Sequence, residues 1–99
     1  MIITDHFRQR VRERIGDVDA DAIGHGILWA IRNDRKDLVQ FVGRVSRCGK
    51  RIFRFRVVDG RQFFALVDTE RGVAITVLPP GFKTNRQSKA ALMMTEVDW

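Results

Sequence analysis

The hydrophobic positions near the start of the chain follow a helical repeat. Phe7, Val11 and Ile15 recur at every fourth residue, which places their side chains on one stripe of a helix. Thr4, or the aspartate that follows it, is suited to cap the beginning of this helix. The pattern therefore predicts a first helix over residues 4–15.

A second helical segment follows after a short acidic stretch. Ile23 and Ile27 lie on one side of this segment. The aspartates before it suit a helix beginning, because the helix dipole favours negative charge there. We expect this helix to begin after Asp17 or Asp19 and to end at Asn33–Asp34.

Beyond the second helix the pattern changes to short runs rich in β-branched and aromatic residues. These runs predict four strands, at 38–46, 51–58, 61–68 and 73–78. Asp59-Gly60, between the second and third runs, is a strong hairpin signal because a type I′ turn needs positive φ at both central residues. Pro79-Pro80 ends the sheet, since proline cannot donate to a ladder, and a short last helix is expected over 85–94.

The sequence thus predicts an α+β fold, in which two N-terminal helices pack on a four-stranded antiparallel meander sheet, as one domain over residues 1–99. The hairpin turn also predicts which side chains share a sheet face, because a two-residue turn pairs Val58 with Arg61. The face toward the helices then holds Phe53, Phe55, Val57, Phe64 and Leu66. The outer face holds Arg54, Arg56, Arg61, Phe63 and Ala65.

Burial predicts the registers of the neighbouring strands in the same way. A loop at Cys48–Lys50 keeps Arg44 out of the core, because a slip of one residue moves every side chain to the other face. Arg44 then lies opposite Arg54 on the outer face. Like charges directly opposite are destabilising, unless solvent screens them or an anion lies beside them. Thr76 faces outward beside Ala65.

The net charge of the chain is concentrated in the strands of this outer face. The chain holds 18 Lys and Arg against 12 Asp and Glu, a formal charge of +6, and the segment from Gln40 to Gln62 carries all of that excess. Most of the cations are arginine, which binds phosphate in a planar bidentate geometry. We interpret the outer face as a phosphate-binding or RNA-binding surface. The alternative is the ordinary solvated face of an antiparallel sheet.

Composition argues against several classes of protein. A hydrophobic content of 44%, with seven Phe and two Trp, is unlike a disordered basic tail. No apolar run approaches the roughly 20 residues of a transmembrane helix, and residues 1–10 lack the apolar region of a secretory signal. The single cysteine, Cys48, cannot form an internal disulfide or a Cys-based zinc site. We expect a cytoplasmic protein without a cofactor, a metal or a membrane partner.

His6 is the candidate residue for acid–base chemistry. It shares one side of the first helix with Arg10 and Arg14. A histidine beside arginines is suited to cleavage of RNA phosphodiesters, with arginine stabilising the charge that develops on phosphorus. The alternative is an exposed or capping histidine in a helix rich in salt bridges. Thr76 is suited to orient a phosphate through its hydroxyl, although threonine also favours strands for propensity alone.

The order of two helices, a four-stranded meander and a short tail resembles RelE-like toxins and their BrnT-like relatives, among them an uncharacterised bacterial family. The matching segments are His6-Phe7-Arg8-Gln9-Arg10 through Arg14 and Ala74-Ile75-Thr76-Val77-Leu78. The resemblance implies a ribonuclease that acts on free or ribosome-bound RNA and is neutralised by an acidic antitoxin. It implies that His6, Arg54 and Thr76 are catalytic, with Arg56 beside them. The chain departs from the messenger-cleaving toxins in having no Tyr.

Three functions remain open from the sequence. The first is an RNA-binding domain that also cleaves RNA. Its binding residues would be Arg44, Arg54, Arg56, Arg61 and Phe63. The second is a nucleic-acid-binding protein without catalysis, and the third is a phage or plasmid interaction module that docks an acidic partner on the arginine face.

Overall fold

The computed structural model describes residues 1–45 and 49–79, and within these ranges the chain forms two helices and five strands. The elements in chain order are β1 (Ile2–Ile3), α1 (Asp5–Arg14), α2 (Ala20–Arg32), β2 (Val39–Arg44), β3 (Lys50–Arg56), β4 (Gln62–Asp68) and β5 (Val73–Val77). The α+β prediction with two leading helices is confirmed. The predicted last helix, at 85–94, and the loop around Cys48 lie outside the described residues.

The sheet is mixed and has five described strands instead of the four antiparallel strands predicted. Its strand order is β1-β5-β4-β3-β2, and β1 pairs in parallel with β5 while the other neighbours are antiparallel. The Ile2 amide donates to the Gly72 carbonyl at 2.8 Å, which anchors β1 on the sheet. Two residues show no measurable period, so the sequence pattern did not predict this strand.

The beginnings of both helices are fixed by local caps. The Thr4 hydroxyl oxygen accepts a hydrogen bond from the Phe7 amide at 3.0 Å, and Asp19 accepts from the Ala22 amide at 3.1 Å. These side chains satisfy amides that have no partner within the helix. The predicted cap at Thr4 is confirmed, and of the two predicted beginnings of α2 the structure selects Asp19.

Apolar side chains are buried on both faces of the sheet. The main core lies between the sheet and the helices and includes Phe7, Val11, Ile27, Phe53, Phe55, Ala65 and Val67. A smaller cluster on the opposite face, called the outer face below, consists of Val45, Ile52, Leu66 and Leu78. Neither described helix combines the length and the apolar character that crossing a membrane requires.

The β3–β4 turn differs from the prediction by one residue. The Val57 amide donates to the Arg61 carbonyl at 2.9 Å, so Val57, not Val58, faces Arg61 across a three-residue loop. Gly60 takes a φ of +91°, and the Asp59 carboxylate accepts from the Arg61 amide at 3.0 Å. Such a loop is a common hairpin connection in which the last loop residue is left-handed.

This one-residue difference reverses every side chain of β4, because side chains alternate between the two faces of a strand. Phe63 lies opposite Phe55 and Ala65 lies opposite Phe53, so both face the helices. The prediction that Phe63, Ala65 and Arg61 lie on the outer face is therefore wrong. Phe64 and Leu66 lie on the outer face in their place.

The predicted register of β2 is also wrong. Gln40, not Arg44, lies opposite Arg54, and an irregularity between Phe41 and Gly43 shifts the following pairs. Arg44 lies opposite Arg51, on the side of the sheet that faces the helices, and its side chain is exposed there. The prediction assumed that the helix-facing side is buried at this position and therefore excludes a charged side chain. Arg44 is exposed there, so burial does not exclude it.

Candidate nucleic-acid interface

Two arginines lie side by side on the outer face of the sheet. Arg54 and Arg56 are two residues apart on β3, so their side chains leave the same face about 7 Å apart. Across the strands, Arg54 lies between Gln40 of β2 and Phe64 of β4, and Arg56 lies opposite Gln62. The arrangement places two guanidinium groups, two amides and one aromatic ring on one surface. We call Arg54, Arg56, Gln40 and Gln62 the outer arginine patch.

Within residues 1–45 and 49–79, no side chain neutralises the cations of this patch. The side chains of Arg54 and Arg56 make no hydrogen bond or ion pair with another described residue. Asp37 lines the same shallow cavity of about 170 Å³. Its carboxylate is bound by the Arg35 guanidinium through contacts of 3.0 and 2.8 Å, which lower the pKa of Asp37. In the part of the chain that the structure describes, the patch therefore keeps its positive charge unpaired, with Arg56 exposed and Arg54 partly exposed.

Arg61, which the sequence assigned to the same surface, has a structural role elsewhere. Its guanidinium forms an ion pair with Asp59 at 2.7 Å and donates to the Ile15 carbonyl at 3.0 Å. It also lies 5.4 Å from the centre of the Phe63 ring. Arg61 thus closes the end of α1 and fixes the hairpin turn. Phe63 is partly buried against the main core.

The structure does not bring the three predicted catalytic residues together. His6 is on α1, which packs against the helix-facing side of the sheet, whereas Arg54 is on the outer face. Thr76 does face outward, but opposite Leu66 and fully buried, and its hydroxyl donates to the Val77 carbonyl at 3.3 Å. Thr76 and Arg54 are separated by two strand spacings and by two residues along the strand, which places them more than about 10 Å apart.

The arginines predicted to assist His6 have contacts of their own. Arg10 forms an ion pair with Glu13 at 2.6 Å, and the Arg14 guanidinium donates to the Val77 carbonyl at the edge of β5. The Nε2 atom of His6 is buried and has no hydrogen-bond partner among the described residues. Within the same ranges, no three His, Cys, Asp or Glu side chains are grouped as metal ligands.

Three residues near the arginines were not predicted from the sequence. Gln40 and Gln62 join the patch only through the observed registers. Phe41 lies on β2, the last strand in the described sheet order, and is 56% exposed. The exposure of Phe41 follows from its place on an edge strand. The order of strands in a sheet does not follow from the local sequence pattern, so this exposure was not predictable from the pattern alone.

The chain was compared with known proteins at three levels. No protein-family model, no curated protein and no solved structure matches it. The resemblance to RelE-like toxins therefore stays a prediction from the sequence.

Proposed function

We propose that this protein binds single-stranded RNA on the outer face of its sheet, through the outer arginine patch. The observation that supports this proposal is the pair Arg54 and Arg56, adjacent on one strand and without a partner in the described structure. Proteins bind single strands by combining cations that contact the phosphates with aromatic or amide groups that contact the bases. Both kinds of group are present here.

The strand geometry suits a repeating anionic ligand. Arg54 and Arg56 offer planar donors to two phosphate groups of one nucleic-acid strand. Gln40 and Gln62 flank them on the neighbouring strands, and both side chains are exposed. An amide carries donors and an acceptor, which serve the edge of a base or the 2′-hydroxyl of ribose.

Binding without cleavage is the form of this function that the geometry favours. RNA cleavage needs a general base and a group that stabilises charge within reach of the same phosphate. His6 lies on the helix side of the sheet, whereas Arg54 and the buried Thr76 face outward more than about 10 Å apart. The patch itself supplies cations and amides, which bind phosphate and base edges but do not take up a proton at neutral pH.

The proposal is tested with a fluorescently labelled, short single-stranded RNA and a measurement of its anisotropy. A tenfold loss of affinity corresponds to about 1.4 kcal/mol, which is less than one hydrogen bond to a charged group usually contributes. The Arg54→Gln/Arg56→Gln variant should therefore bind the RNA at least about tenfold more weakly than the parent. The control is Arg12→Gln/Arg32→Gln, which removes the same charge from exposed positions on the helices. The control should bind almost as the parent does. Equal losses in both variants, or no binding by the parent, would contradict the proposal.

The same RNA also tests cleavage. The parent protein, incubated with the RNA with and without ribosomes, should leave it intact on a denaturing gel. Cleavage that disappears in His6→Ala would contradict binding without catalysis and would support the toxin resemblance.

A further inference from the structure

We infer that the open edge of the sheet holds a second site, a pocket that takes one unstacked nucleotide of the bound RNA. This inference rests on the proposed function. The pocket lies between the end of α2 and the strands β2 and β3, with a volume of about 610 Å³, which is within the usual range for a small-ligand site. Its lining includes Asp34, Lys36, Phe41, Arg51, Phe53 and Thr69.

An aromatic ring forms one wall of this pocket. The Phe41 ring packs edge-on against Phe53, with ring centres 5.7 Å apart at 67°. Phe53 is buried, whereas Phe41 remains 56% exposed. An exposed aromatic ring held by a buried one is a stacking platform for a nucleobase, because every base offers a π-face.

A carboxylate lies at the end of α2 in an unusual backbone conformation. Asp34 has a φ of +53°, and its amide donates to the Ile31 carbonyl at 3.2 Å, while the Arg35 amide donates to the Ala30 carbonyl at 2.8 Å. Glycine is usual at this left-handed position of a helix end. An aspartate there, on the wall of a pocket, provides an acceptor for an N–H of a base or a hydroxyl of ribose.

Cations at the far wall suit the phosphate of the same nucleotide. One Nη of Arg51 donates to the Gly49 carbonyl at 3.1 Å and to the Thr69 hydroxyl, which holds the guanidinium in place. Arg44 lies directly opposite Arg51 across β2 and β3. Like charges in that position destabilise a sheet, and an anion between them removes the repulsion. Lys36, which also lines the pocket, adds a third positive charge.

The pocket and the outer arginine patch meet at one strand. Gln40 belongs to the patch and also lines the pocket beside Phe41, and these neighbours on β2 point to opposite faces of the sheet. β2 is the last strand in the described sheet order, so its outer edge faces no other described strand. A single RNA strand that crosses this edge contacts both sites, with its phosphates on the patch and one base on Phe41.

The test is the Phe41→Ile variant, because isoleucine keeps the apolar side chain and the strand preference while it removes the ring. Its affinity for the short single-stranded RNA should fall about 5- to 150-fold, the effect of losing one base stack. Phe41→Trp, which keeps an aromatic ring at this position, should bind the RNA about as tightly as the parent. The salt dependence of binding should not change, because no phosphate contact is lost. Val58→Ala, at a fully exposed apolar residue in the β3–β4 turn, is the control and should bind like the parent.

The outcomes separate the pocket from the proposed function. Normal RNA affinity in Phe41→Ile, together with weakened binding in Arg54→Gln/Arg56→Gln, would overturn the pocket and leave the proposed function standing. Weak binding in Phe41→Ile that Phe41→Trp does not restore would also overturn the stacking role. A parent protein that does not bind RNA would overturn both. Circular dichroism of each variant confirms that the sheet is retained.

Discussion

Two glycines that are two residues apart in α2, and so lie on different sides of the helix, are expected to respond differently to the same substitution. A β-carbon added at Gly26 meets no heavy atom within 4 Å, whereas one added at Gly24 comes within 2.5 Å of Ile3 Cδ1. Ile3 belongs to β1, the strand that the sequence did not predict. The pair therefore tests how closely α2 approaches that strand.

The magnitudes follow from these distances. Alanine stabilises the interior of a helix by about 1 kcal/mol relative to glycine, so Gly26→Ala should raise the unfolding free energy by about that amount. At Gly24 the same gain is opposed by overpacking, which usually costs about 1–3 kcal/mol. Ile3 is 7% exposed, and two more of its carbons lie at 3.3 Å, so little room remains for it to move. Gly24→Ala should be neutral or destabilising by up to about 2 kcal/mol.

The assay is thermal unfolding followed by circular dichroism, with urea denaturation as a second measurement. For a domain of this size, Gly26→Ala should raise the Tm by about 4–8 °C, and Gly24→Ala should lower it or leave it unchanged. If both variants gain the same stability, then α2 does not pack against Ile3 as described. A second variant, Ile3→Val with Gly24→Ala, should recover part of the loss by removing the closest carbon.

Two further predictions concern the β3–β4 turn. Gly60 has a positive φ, so Gly60→Ala should lower the free energy of unfolding, measured by urea denaturation, by about 1 kcal/mol, and Gly60→Asn should lower it by less. If both variants are as stable as the parent, residue 60 does not take the left-handed conformation. Hydrogen bonds from the Arg61 amide and, to a smaller extent, from its guanidinium lower the pKa of Asp59. The Asp59 carboxylate therefore stabilises the fold fully above a pH of about 4, and this stabilisation is lost as the pH falls through the lowered pKa. Asp59→Asn should therefore be less stable at pH 7 and lose less stability on acidification; an unchanged pH profile would show that Asp59 contributes nothing there.

The helices were predictable because their signals are local. The Thr4 cap and the stripe of Phe7 and Val11 act within one or two turns of the same segment. β1 was not predictable, since Ile2–Ile3 forms a strand only by pairing with residues some 70 positions later. A strand of this kind is created by the rest of the fold and leaves no pattern in its own residues.

The strand registers were less predictable, because the β4 sequence is apolar on both faces. The run Phe63–Val67 offers a hydrophobic side chain to either side of the sheet, so burial does not choose between a two-residue and a three-residue turn. The Asp59-Gly60 pair fits both kinds of turn. The three-residue loop is secured by the hydrogen bonds of Asp59 and by the contact of Arg61 with the end of α1.

The candidate site was predicted in part for the same reason. Arg54 and Arg56 lie on the predicted face because β3 alternates clearly between aromatic and basic residues. Arg44 and Arg61 were misplaced, since their faces depend on the turns at either end of that strand. The count of basic residues in a segment therefore overestimates the arginines available to a ligand.

The central claim is that Arg54 and Arg56 each contact a phosphate of single-stranded RNA. The most direct measurement is the slope of log affinity against log salt concentration, which changes by about 0.7 for each phosphate contact on a single strand. The account predicts that Arg54→Gln/Arg56→Gln has a slope shallower than the parent by about 1.4, so that the parent loses about sevenfold more affinity between about 50 and 200 mM salt. Arg12→Gln/Arg32→Gln should keep the parental slope. Equal slopes for the parent and the Arg54→Gln/Arg56→Gln variant would contradict the account.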